Sequence, residues 1–219
     1  IEVPNQRKDG FEEYGVSYPV ITYADGRDAT GVNELLRNAA CAQLDTMYPE
    51  PQPEYLYLDE DYPYLACYVD YEITYMSDEI LCVAFQDHYF NGSMWGEFCD
   101  LRTRVINLAT ERYEVEDVLR SDDTFAEAYY EKICEKSDSF NDAPAFTAQM
   151  AGQTMDGEIL DGRYYSNYVL CKNDIYVNLT YHYYDEGLIM HGWDSTQWTM
   201  EELEPYRTDS DLWEKYSAE

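Results

Sequence analysis

Histidine, cysteine and tryptophan are the side chains scarce enough in this chain to say something about chemistry. The histidines are His88, His182 and His191. If Glu186-Gly187 is a two-residue hairpin loop, His182 lies directly opposite His191, near enough for a shared metal ion with Asp185 or Asp194 adding oxygen ligands. A cross-strand histidine pair is equally at home as polar surface. The six cysteines, Cys41, Cys67, Cys82, Cys99, Cys134 and Cys171, stand far apart with no C-x-x-C pair, so zinc-finger and thioredoxin readings fail on spacing. Buried thiols and one or more disulfides both stay open. No G-x-S-x-G, phosphate loop or H-E-x-x-H run occurs, and no cysteine falls in a recognisable Cys/His context. With 45 Asp and Glu, paired carboxylates carry no information. This reading assigns no catalytic residue and no cofactor. The best candidate recognition surface is aromatic. Asn91, Met94 and Trp95 lie in the run Asn91-Gly92-Ser93-Met94-Trp95-Gly96, and Trp193 and Trp198 flank a late loop, where rings could stack on a sugar or anchor a protein. A satellite core accounts for Trp193 and Trp198 equally well.

Composition limits the partners. Against the 45 acids stand 14 Lys and Arg, a formal charge of −31, so the surface repels phosphate backbones and anionic lipid. Nucleic acid is excluded as a natural partner, while cationic proteins, calcium or basic ligands are favoured. Solubility alone is the plainer account of the same charge. The acid-glycine turns Asp156-Gly157-Glu158 and Asp161-Gly162 lack the spacing of an EF-hand loop. Twenty-four tyrosines, many alternating along strands, suit a thin sheet with wet hydroxyls or a recognition surface. No stretch is apolar enough to cross a membrane, and the start at Ile1 suggests a mature or trimmed form.

The elements that must position these residues centre on Tyr64 to Leu108. Apolar and polar residues alternate there, with polar turns at Met76-Ser77-Asp78-Glu79 and Asn91-Gly92-Ser93, which reads as an antiparallel meander. In its first strand Leu65, Cys67, Val69, Tyr71, Ile73 and Tyr75 should share the packed face, with Asp70, Glu72 and Thr74 on a wet one. Upstream, residues 1–14 read as a flexible N-terminal arm and Val16 to Tyr23 as an edge strand containing Pro19. Val32, Leu35, Leu36, Ala39, Ala40, Leu44 and Met47 then keep helical spacing behind the cap candidates Asp28 and Thr30.

Downstream, Asn107 to Leu119 reads as an extended segment ending in a helical turn at Glu116 to Leu119. A second amphipathic helix is expected from Asp122 to Lys136, with Phe125, Tyr129, Ile133 and Cys134 on one side. A short helix around Ala143 to Ala151 follows, then strands at Tyr164 to Cys171, Ile175 to Tyr184 and Leu188 to Trp193. Thr199-Met200-Glu201-Glu202 has capping-box spacing, and Asp209 to Tyr216 suggests an exposed terminal helix. The order is α+β, with antiparallel meander sheets and two main amphipathic helices packed on them, and not βαβ. It divides into a strand-helix-meander half over 15–108, a helix-meander half over 109–206 and a helical tail over 207–219.

Several of these residues resemble a known family, the extracytoplasmic domain of unknown function found in the lysozyme-sensing anti-sigma factor of Gram-positive bacteria and in the N-terminal region of some peptidoglycan deacetylases. They are YPVI at 18–21, Asn33 in VNELL, YEITYMSDEILCVAF at 71–85, FCDLRTRVINL at 98–108 and DEGLIMHGW at 185–193. The family's Gly-Gly-Ala-His-Gly-like run is replaced here by Asn91 to Gly96, and its Thr-Gly turn by Thr103-Arg104. The resemblance implies a non-enzymatic, envelope-facing binding domain, secreted or belonging to a lipoprotein or membrane-anchored parent, with a basic protein such as lysozyme or a wall polymer, peptidoglycan, as ligand. A wall glycan hydrolase or deacetylase, and a purely structural accessory module, are the alternatives.

Overall fold

The computed structural model describes residues 5–7, 10–47, 64–91, 98–114, 118–120, 122–136, 164–185 and 188–216. Two sheets face each other, with one main helix on the outer side of each. The larger sheet runs β1 (Asn5–Arg7), β2 (Gly10–Val16), β3 (Tyr64–Met76), β4 (Ile80–Asn91), β5 (Phe98–Asn107) and β6 (Arg112–Tyr113), neighbours in that order. The smaller is β7 (Tyr164–Leu170), β8 (Ile175–Asp185) and β9 (Leu188–Trp198). The α+β class and the two meanders, β3-β4-β5 and β7-β8-β9, are as the alternation predicts.

The expected arm and edge strand are redistributed. Gly10–Val16 is a strand, while residues 17 to 23 leave the sheet. Moreover β2 runs parallel to β3, so β2, helix α1 (Thr30–Met47) and β3 make one βαβ crossover inside an otherwise antiparallel sheet. Pro19 lacks an N–H for a ladder, and Asn33 on α1 captures the departing chain. Its Nδ2 donates to the Ile21 carbonyl at 3.0 Å while its Oδ1 accepts from the Ile21 N–H at 2.8 Å, a side-chain imitation of a strand partner. A turn forms at Asp25-Gly26, with Gly26 at φ 78 and its N–H on the Tyr23 carbonyl. Asp28 Oδ1 accepts from the Thr30 N–H ahead of α1.

Along α1, Val32, Leu36, Ala39, Ala40 and Met47 are buried against Cys67, Val69, Leu81, Val83, Phe85 and Ile106 of the sheet. Each fully buried aliphatic side chain here contributes roughly 1.5–3 kcal/mol. On the far side of the molecule α2 (Asp123–Lys136) buries Phe125, Ala126, Tyr129 and Ile133 against Ile175, Val177, Leu179 and Trp198. Between the sheets Ala84 and Leu101 meet Val169, Tyr176 and Trp193. Ile80 to Phe85 is therefore buried without interruption. The meander is not packed on one face and wet on the other; the first half of its central strand is dry on both, as a continuous apolar run allows.

The C-terminal segment also differs from expectation. The capping box forms: the Thr199 N–H donates to Glu202 Oε2 at 2.8 Å and the Glu202 N–H to Thr199 Oγ1 at 3.3 Å, opening α3 (Met200–Leu203). Beyond it Leu119 bridges Arg207, so Val118-Leu119 is extended and not helical. The terminal helix α4 (Leu212–Lys215) is not merely exposed. Leu212, Trp213 and Tyr216 enter the core, and the Trp213 indole N–H donates to the Val118 carbonyl at 3.1 Å. The expected helix around Ala143 to Ala151 and the turns at Asp156-Gly157 and Asp161-Gly162 lie outside the described residues. Among those described, no helix is long and apolar enough to cross a membrane.

Candidate functional site

Of the predicted aromatic surface, the structure places Trp193 and Trp198. Trp198 and Trp193 are five positions apart on β9, so they project to opposite faces. Trp198 is 2% exposed, donates its indole N–H to Thr196 Oγ1 at 2.7 Å and lies 5.4 Å from the Phe125 ring, with the Lys132 ammonium 4.6 Å over it. It is a pillar of the α2 core. Trp193 is half-buried between the sheets. Asn91 ends β4 opposite Leu65, and Met94 and Trp95 lie outside the described residues. The histidine register is as read: Asp185 pairs with Leu188, and His182 stands opposite His191. Their side chains are outside the described set, and among the described residues no three His, Cys, Asp or Glu side chains are grouped to hold a metal.

A polar row crosses the small sheet on the face turned to the large one. Asn167, Asn178 and Ser195 are register partners; Asn178 donates to Asn167 Oδ1 at 3.0 Å and accepts from Ser195, and Asn167 reaches the Leu101 carbonyl of β5 at 2.6 Å. This ties sheet to sheet. It also shows why the sequon at Asn178 is a poor acceptor for glycan: its amide is buried and engaged.

Two further groups were missed in the sequence. Asp87 extends the core-facing series Leu81, Val83, Phe85, yet it is a carboxylate with its side chain fully buried. Arg102, beside it on β5, meets it with both Nε and Nη2, the latter at 2.7 Å, and sends Nη1 to the Ala39 carbonyl of α1 at 2.5 Å. Asp100, directly opposite Asp87, accepts from the Tyr89 hydroxyl at 3.1 Å. Burial pushes the Asp87 carboxyl above its ordinary range; Arg102 pulls the other way, and the Asp100 charge adds to the rise. The arrangement clamps α1 to the sheet. Its signal was available, since a charge on the apolar parity of a strand needs a partner across the ladder.

On the other face the pairing of His88 with Cys99 brings Nδ1 and Sγ to 3.2 Å, a Cys/His contact that sequence spacing did not reveal. None of the six cysteines is in a disulfide. Burial pushes the Cys67 thiol up to about 12 and raises Cys82 as well, which keeps both protonated and unreactive.

The exposed part of the sheet is the outer half of β3. Parallel pairing with β2 ends at Val69, whose carbonyl accepts from the Ser17 N–H at 2.8 Å, and from Asp70 to Ile73 no described strand pairs on that side. Tyr71 and Ile73, expected in the packed face, are each 40% exposed, because β2 stops and α1 does not reach them. Asp70 and Glu72 occupy the opposite face. A cleft of about 710 Å³ continues from Ile73 through the turn Ser77-Asp78-Glu79 to Lys172, Glu214 and Lys215. Lys215 is held there by Glu114 at 2.6 Å and Asp211 at 3.0 Å.

No family model matches the chain, and no curated protein does. Among solved structures the chain is similar to a member of the DUF3298 family from Bacteroides fragilis NCTC 9343, at 13% identity and a TM-score of 0.48, covering 97% of this chain and 93% of that one. It is also similar to a DUF3298 family protein from Pseudomonas aeruginosa PAO1, at 10% identity and a TM-score of 0.43, covering 95% and 94%. Both structural neighbours are proteins of a domain family without an assigned function.

Proposed function

We propose that this chain is a non-catalytic binding domain of a bacterial cell envelope, working outside the cytoplasm, and that its acidic surface recruits a cationic protein. The carrying observation is the charge of −31 set around an exposed apolar stripe: Asp70, Glu72, Asp78 and Glu79 flank Tyr71, Ile73 and Met76. Charge of one sign steers an oppositely charged protein at a distance, and the apolar side chains give it something to bury on arrival. The buried acids best suited to chemistry are otherwise engaged, Asp87 by Arg102 and Asp100 by Tyr89. The resemblance to the anti-sigma factor ectodomain and to the N-terminal region of peptidoglycan deacetylases supports the envelope setting and a partner as basic as lysozyme.

The test is binding to hen lysozyme and to an unrelated protein of equal positive charge, each at low and at physiological salt. The Debye length shrinks to about 8 Å at physiological ionic strength, so steering fades while a fitted interface persists. Salt-resistant binding of lysozyme alone supports the reading. Binding of both proteins only at low salt, or of neither, makes the charge a solubility device and turns the search to wall polymers.

A further inference from the structure

We infer that the outer half of β3, Asp70 to Ile73, is an acceptor edge that binds its partner by strand addition, and that the incoming segment alternates basic and apolar residues. This deepens the binding reading above and rests on it. The backbone geometry comes first. The Val69 carbonyl points toward β2, as its bond from Ser17 shows. In a strand the N–H and C=O of one residue point to the same side and alternate residues point oppositely, so Tyr71 and Ile73 direct theirs to the open edge while Asp70 and Glu72 bond inward to β4. The accepting stretch ends at the bulge between Ile73 and Tyr75, where Thr74 is the extra residue.

The side chains then select the occupant. An added strand presents its residues alternately to the two faces of the sheet. On one face they meet Tyr71 and Ile73, each 40% exposed, and on the other the exposed carboxylates Asp70 and Glu72. Apolar residues on the first parity and Lys or Arg on the second satisfy both. A second copy of this chain would bring acids against acids while both copies carry −31, so the same charges that admit a basic segment turn away self-pairing.

The probe is a fluorescent acetyl-(Lys-Val)3-Lys-amide peptide, tested at physiological salt beside the same peptide N-methylated at every backbone amide and so unable to donate along that edge in either strand direction. Two variants are compared, Tyr71→Ala, which removes the ring, and Tyr71→Pro, which also removes the outward N–H. Proline is tolerated where an edge N–H faces solvent, so the β4 ladder survives. The expected result is binding of the unmethylated peptide with new exchange protection at Tyr71 and Ile73. Tyr71→Pro should bind about fivefold more weakly than Tyr71→Ala, the worth of one net backbone hydrogen bond. Equal binding of the two peptides, or of the two variants, overturns strand addition while leaving acidic recruitment standing. If neither peptide binds while lysozyme does, the edge is again the wrong site; if none of them binds, both proposals fall. Should Tyr71→Pro unfold, the two peptides against the unaltered chain decide the matter alone.

Discussion

Removing Arg102 should turn the buried carboxylate beneath α1 into a pH-dependent fault. Asp87 has a fully buried side chain, and Arg102 is 13% exposed, so solvent screens this pair little. Arg102→Met keeps the aliphatic volume but leaves Asp87 without its fork, and breaking one side of a buried pair costs about 3–5 kcal/mol. That cost is avoidable if Asp87 takes up a proton. In the unaltered chain burial already lifts its carboxyl above 3.8 against the pull of Arg102; in the variant the lifting causes, burial and the Asp100 charge, are opposed only by the smaller pull of His88. A carboxyl raised in the folded state favours folding at low pH, and the advantage is lost as pH rises from the unfolded value toward the folded one, by about 1.4 kcal/mol per unit. Urea denaturation should therefore find Arg102→Met close to the unaltered chain at about pH 5 and about 3–5 kcal/mol less stable at about pH 8. The double variant Asp87→Leu with Arg102→Met removes both charges and should recover most of the loss, with no pH dependence of this origin. A loss under about 1 kcal/mol at both pH values, typical of exposed pairs, would refute the clamp.

Trp213→Ala should cost about 3–5 kcal/mol in the same assay, because it opens a cavity in the core shared with Val118 and Tyr216; a dispensable terminal helix would lose nothing. Thr199→Ala should cost about 1 kcal/mol through the lost cap. The Lys132 ammonium, and then the Thr199 amide, hold the Glu202 carboxyl below its ordinary 4.5, so this stabilisation is complete above that value and disappears as pH falls below it. Glu202→Gln, which removes the carboxylate itself, should accordingly show a shallower acid limb in a pH series of melting temperature. Asn33→Leu strands the Ile21 N–H and carbonyl and should cost about 1–3 kcal/mol, with faster amide exchange at Ile21 as its local signature.

Periodicity carried the helices and the ladders because it records which side of an element is dry. Val32, Leu36 and Met47 on α1, Phe125 and Ile133 on α2, and the register of β8 with β9 were all legible in this way. Two kinds of feature were not. The direction of β2 against β3 depends on where α1 delivers the chain, which no local pattern records, so a parallel pair was invisible. Polar residues inside the structure were also misread. Asp194 to Gln197 looks like the end of a strand, yet β9 continues to Trp198 because Ser195 and Thr196 spend their hydroxyls on Asn178 and on the Val177 carbonyl. The candidate site was half legible: Asp70 and Glu72 were placed on their wet face, but the exposure of Tyr71 and Ile73 depends on the early end of β2.

That early end links fold to function. A sheet edge left open beside apolar side chains is a hazard in a monomer, and an extra paired residue, a proline or a covering loop would remove it. Here, among the described residues, the chain instead turns away at Ser17, fastened by Asn33, and leaves Tyr71 and Ile73 exposed with carboxylates on the opposite face. Acids alone would suffice to keep copies apart. Exposed apolar side chains add nothing to that defence and weaken it, since they favour association. Tyr71 and Ile73 together with the acids make sense when association is wanted with a partner of the opposite charge. Replacing Asp70 and Glu72 by Lys separates the two roles: it should abolish binding of the basic peptide and leave the apolar side chains in place. If binding survives the charge reversal, the acids are guards only, and recognition belongs to Tyr71 and Ile73.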